Sequence, residues 1–134
     1  MSEPRPVFSS PDDLPTPAGY SHVVSIPSGR LVWTSGQVGI STDGSGPAAG
    51  DWEAQTRTAL ENVGRALAAG GASWSDVVKL TFFVLDVSAL PIIRSVRDEF
   101  VETASPPTSS LVQVAGLAHP GLLIEVEAVA YLPP

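Results

Sequence analysis

Cysteine is absent from the 134 residues, which excludes disulfides, thiolate nucleophiles and sulfur-ligated zinc. His22 and His119 are the only histidines, too few for a histidine-built metal centre. Basic side chains are scarce as well: Lys79 and six scattered arginines stand against 14 carboxylates, for a net charge of −7. Phosphate backbones are held by clustered Lys and Arg, so no nucleic-acid partner is expected. No run of about 18 apolar residues is long enough for a membrane span, and Met1 to Pro6 lack the apolar stretch of a secretory signal. The expected location is therefore the cytoplasm. Charged residues make up only 16% of the chain, against roughly 25% in a typical soluble domain. That shortfall points to apolar surface covered by association.

Pro4, Pro6, Pro11, Pro15 and Pro17 crowd the first nineteen residues. They remove backbone donors and fix φ, so residues 1–19 read as an extended arm and residues 20–134 as one domain. Tyr20 to Ile26 and Arg30 to Val38 are strand-like runs separated by Pro27-Ser28-Gly29, a turn at hairpin spacing. Ser41 to Gly50 reads as a Gly- and Ser-rich loop. Asp51 is a good N-cap for a helix with Ala59, Leu60, Val63, Ala66 and Leu67 on one stripe, ended by Gly70-Gly71. Val77 to Leu85 reads as a buried strand. Ser88 is positioned to cap a second helix bearing Leu90, Ile93, Val96 and Phe100. Ser110 to Leu117 and Leu122 to Leu132 complete a ββαβαββ order, an α+β layer with two helices on one face of the sheet.

Side chains alternate across a strand, so residue parity separates the two sheet faces. Leu122, Ile124, Val126, Ala128, Ala130 and Leu132 should meet the helices. The other face, with Leu123, Glu125, Glu127 and Val129, is too apolar for free solvent and too polar for a dry core. Lys79 and Thr81, Ser35 and Gln37, and Leu111 and Gln113 are expected to share this mixed character. Such a face suits a subunit interface containing polar clefts.

No Gly-x-Ser-x-Gly, phosphate-binding loop or paired-histidine motif is present, so no metal and no cofactor is expected. What remains is acid-base work by a carboxylate, since burial on a semi-apolar strand face raises a carboxyl's pKa toward neutrality. Glu125 and Glu127 both meet this requirement. Both also fit a purely structural pairing with Lys79 or with backbone donors. His119 lies in a turn and reads as a surface residue. His22, beside the Tyr20 hydroxyl, reads either as a hydrogen-bonded surface histidine or as a proton shuttle. Trp33 reads as packing.

Several strings coincide with those of one known family: Pro17 to His22, Ser35-Gly36-Gln37-Val38, Gln55 to Asn62, Ala69 to Ser73, Asp76 to Thr81, Pro106-Pro107 and Leu123 to Ala130. Over nearly its whole length the chain resembles the Rid family (YjgF/YER057c/UK114). The resemblance implies a chorismate-mutase-like subunit, a homotrimer whose sheets form a central barrel, and small-molecule clefts between subunits. It also implies hydrolysis of reactive enamines and imines, with a glutamate activating water and an arginine anchoring the substrate carboxylate. By motif the glutamate is Glu125, and Tyr20 orients the substrate. Ser35 and Gly36 line the wall, and His22 stands where the family carries glutamine. The arginine does not carry over: Ser109 occupies its place and Leu111 that of a nearby cysteine. A serine cannot make a bidentate guanidinium contact. The resemblance is therefore to an arginine-lacking branch, whose substrate either has no α-carboxylate or binds it through Ser109 and the backbone near Leu111. A non-catalytic ligand-binding trimer with the same cleft is the rival expectation.

Overall fold

The computed structural model describes residues 3–134; Met1 and Ser2, the first two residues of the expected arm, lie outside the described residues. The strands are β1 (Val7–Ser9), β2 (Val23–Ser25), β3 (Arg30–Trp33), β4 (Gln37–Val38), β5 (Val77–Val84), β6 (Thr108–Gln113) and β7 (Ile124–Leu132), and the helices are α1 (Trp52–Ala69) and α2 (Leu90–Arg97). The main sheet has the order β3-β7-β5-β6, with β4 also on β7. β5 and β6 run parallel while β7 is antiparallel to β3, β4 and β5, so the sheet is mixed. This is the expected α+β layer of two helices on one sheet. Leu60, Val63 and Leu67 of α1, Ile93 and Val96 of α2, and Leu80, Phe82, Ile124 and Val126 of the sheet form its core.

The first helix forms as its sequence dictates. Asp51 accepts a hydrogen bond from the Ala54 amide, Gly70 ends the helix, and the apolar stripe is buried. Gln55, 1% exposed, adds a clamp: its Nε2 donates to the Ala48 and Gly121 carbonyls and its Oε1 accepts from the Leu123 amide. It ties the loop before α1 and the turn before β7 to the helix.

Several local expectations are corrected. β2 does not form a hairpin with β3. It pairs with β1, in the arm, because Val7-Phe8-Ser9 is a proline-free stretch with donors to spare, while β3 is taken by the longer β7. Arg30 to Val38 is not one strand. Trp33 faces Val129 and Gln37 faces Val126, so four steps on one side match three on the other, and the extra residue makes a bulge at Thr34–Gly36. The bulge reverses the parity and puts Gln37 on the helix side, opposite Val126. Asp86, not Ser88, caps the 3-10 turn leading into α2, accepting from the Ser88 amide. β6 begins at Thr108 and stops at Gln113, earlier than its apolar run suggests. Its register with β5 aligns Ser109 with Leu80 and Leu111 with Phe82, so Ser109, Leu111 and Gln113 lie on the helix side. Thr108, Ser110 and Val112 share the open face with Lys79, Thr81 and Phe83.

Candidate active site

The candidate residues separate into two groups on opposite faces of one sheet. On the open face, β7 carries Glu125 opposite Val38 of β4 and Phe83 of β5. The bulge brings Gly36 over this carboxylate so closely that a Cβ at position 36 would lie 2.6 Å from Glu125 Cδ. The bulge is pinned by Thr34, whose amide donates to the Ala128 carbonyl and whose Oγ1 accepts from the Ala128 amide, both at 3.0 Å. Ser35 is exposed beside it. Glu125 and Glu127 are half-buried, and neither forms a salt bridge among the described residues. The pairing of either glutamate with Lys79 is therefore not made within the chain. Lys79 Nζ instead donates to Ser110 Oγ at 2.8 Å.

On the helix side, Tyr20, Ser109 and Leu111 line a cavity of about 180 Å³ between the edge strand β6 and α2. Tyr20 is placed there by its neighbour. The buried Ser21 donates from Oγ to the Pro106 carbonyl at 2.5 Å and from its amide to the Pro107 carbonyl at 3.2 Å, which docks the arm on the segment entering β6. Phe82, Leu90 and Ile93 supply apolar wall. His22 is half-buried and its ring packs edge-on to Tyr20 with centroids 5.3 Å apart. Its Nε2 lies 2.6 Å from the Pro15 carbonyl, a contact within the arm, and the ring does not line the cavity. His119 is exposed in the turn before β7, and Trp33 is exposed on the open face rather than packed.

Two cavity residues escaped the sequence reading, Arg94 and Arg97 of α2. Their signal was present: Leu90, Ile93, Arg94 and Arg97 follow the i, i+3, i+4, i+7 spacing of a core-facing stripe. The two arginines occupy positions where apolar residues are usual. Arg97 is 7% exposed and is held by Asp98, whose Oδ1 lies 3.0 Å from both Nε and Nη2. No cluster of metal-ligating side chains occurs among the described residues, and no helix is long and apolar enough to cross a membrane.

A mixed sheet covered by two helices, with a carboxylate under a bulge on one face and a hydroxyl-lined cavity on the other, defines a small two-layer α+β protein. The chain belongs to the family described as Endoribonuclease L-PSP, whose profile matches residues 11–132, the Rid family of the resemblance above. The 2-iminobutanoate/2-iminopropanoate deaminase of Salmonella typhimurium is 35% identical over 111 residues, covering 81% of this chain and 85% of that protein. The crystal structure of YyfB, a Rid family protein from Yersinia pestis, superposes with a TM-score of 0.86 at 35% identity, covering 95% of this chain and 98% of that one. Escherichia coli TdcF, solved with bound serine, gives a TM-score of 0.69 at 37% identity over 80% of this chain and 84% of that one.

Proposed function

We propose that the chain is a hydrolytic deaminase of reactive imines or enamines, acting as a homotrimer at clefts between subunits. In this reading Glu125 accepts a proton from water as the oxygen attacks the imine carbon. That proton passes to nitrogen to give the carbinolamine; the carboxylate then takes the carbinolamine hydroxyl proton and delivers it to nitrogen as the C–N bond breaks and the C=O bond forms, so that imine plus water gives ketone plus ammonia. Tyr20 and Ser109 hydrogen-bond the polar groups of the substrate, Leu111 shapes the wall, and Ser35 and Gly36 border the carboxylate.

The observation that carries this reading is Glu125 itself, half-buried against a bare glycine with no basic partner among the described residues. A carboxylate used only for structure is usually paired at such a site. The deaminase named among its relatives supports the same reaction class for this chain. Because Glu125 and the Tyr20–Ser109 cavity lie on opposite faces of one sheet, a single small substrate reaches both only where two copies meet. Exposed Trp33, Leu31 and Val112 on that open face favour such a contact. The test is release of ammonia from 2-iminobutanoate generated in situ. Glu125→Gln keeps size and hydrogen bonding but removes the base, and should lower kcat by about 10²-fold or more. Turnover within about threefold of wild type would make Glu125 structural and leave the non-catalytic ligand-binding trimer as the better reading.

A further inference from the structure

Ser109 stands where the resemblance calls for an arginine, yet the cavity beside it holds positive charge from the other wall. Arg94 and Arg97 enter it from the last turns of α2. Cations at a helix C-terminus complement the helix dipole, and an arginine performs that role with its guanidinium in water. Here Arg97 is buried, and Arg94 is half-buried with its Nε–H enclosed and without an acceptor in the described chain. A guanidinium is always charged, and its burial is costly unless an anion or acceptors compensate. Asp98 compensates Arg97; no described residue does so for Arg94. The arm is shaped around Arg97 as well. Gly19 has φ of +79°, and any Cβ there would strike the Arg97 guanidinium.

We infer that Arg94 is the anion-binding residue of this cavity, and that the site takes a small carboxylate with an apolar tail. The inference rests on the deaminase reading and deepens it by assigning the residue that orients the substrate, with its anionic end toward α2. One uncompensated charge matches one carboxylate, since Arg97 and Asp98 cancel. The guanidinium fork supplies parallel N–H donors for it, Tyr20 and Ser109 supply hydroxyls, and Phe82, Ile93 and Leu111 supply apolar wall for the tail. The absence of an arginine on β6 thus moves the anchor instead of abolishing it, and Ser109 leaves room that a long side chain would fill.

The test is titration calorimetry with 2-oxobutanoate, the ketone product of 2-iminobutanoate, and with 2-butanone, which keeps the chain and loses the carboxylate. Wild type should bind 2-oxobutanoate and not 2-butanone. Arg94→Gln should weaken binding at least about tenfold, and Arg94→Lys should restore only part of it because an ammonium lacks the fork. Equal binding by wild type and Arg94→Gln, or no binding by wild type at about 10 mM, would overturn the inference. So would dissociation of the Arg94→Gln assembly in sedimentation equilibrium, which would show the guanidinium pairing with another copy. Normal turnover in Glu125→Gln together with binding lost in Arg94→Gln would sink the catalytic reading and leave the arginine assignment standing.

Discussion

At position 36 the absence of a side chain decides where a carboxylate sits. The φ of Gly36 is not in the left-handed region, so alanine is acceptable to the backbone, and the conflict in Gly36→Ala is purely with the Glu125 side chain. That variant should keep the melting temperature close to wild type while turnover falls by roughly 10- to 100-fold, because displacement of a reacting group by about 1 Å is costly. Thermal melts beside ammonia-release assays check the pair of outcomes, and unchanged turnover would show that the contact does not position Glu125. Glu125 and Gly36 were legible as candidates in the sequence through the strings that contain them, and their contact was not. It depends on the bulge at Thr34–Gly36, and nothing in Arg30 to Val38 signals an extra residue. Arg94 and Arg97 were legible in principle, since they extend the Leu90–Ile93 stripe. The stripe alone does not reveal their role, because charge at such a position ordinarily faces solvent.

Among the elements, α1 and β7 follow directly from their sequences, because a capped 3.6-residue stripe and a long period-two alternation each have a single packing solution. The arm and β6 do not. Short strands are chosen by whichever partner is free, and the partner of β2 is Val7–Ser9, inside a segment whose prolines advertise only extension. Gln55 shows how far one polar residue joins these elements. Gln55→Leu keeps the volume but strips one amide and two carbonyls of their partner, at a cost of about 3 kcal/mol. In a chain of this length that is a fall in Tm of roughly 10 °C, measurable by calorimetry. The turn entering α2 has a pH signature. The Ser88 amide, then the Ser88 hydroxyl, hold the Asp86 carboxyl below its usual value. A depressed carboxyl stabilises the fold above its unfolded pKa, near 4, and loses that effect as pH falls through the lower folded value. The difference in melting temperature between wild type and Asp86→Ala should therefore be full at pH 7 and close on acidification below about pH 4. A difference that persists unchanged at pH 2 would assign the effect to something other than the carboxylate.

For the whole molecule the open sheet face dominates. Trp33 is 72% exposed and shares the face with exposed Leu31 and Val112 and half-buried Phe83 and Val129, an apolar surface unusual for a monomer. The low charge content and the parity of β7 already signalled it. Which residues sit on which side of β6 was not legible, because that depends on the parallel register with β5. The open face should be covered by association, and sedimentation equilibrium should report the proposed trimer. The net charge of −7 opposes binding to a phosphate backbone, so filter binding should report no RNA capture at physiological salt, whatever the family description says of ribonucleases. The proposed cleft itself is tested most directly by subunit complementation. Glu125→Gln removes the base from the open face, and Ser109→Phe fills the cavity on the helix side, so each homotrimer should be inactive. Co-expressed in equal amounts, the two variants form mixed trimers. If every site draws its carboxylate from one copy and its cavity from the next, about one site in four is rebuilt from two intact halves, and roughly a quarter of wild-type activity returns. If mixed trimers form and remain as inactive as either parent, both halves belong to a single chain and the intersubunit site is wrong.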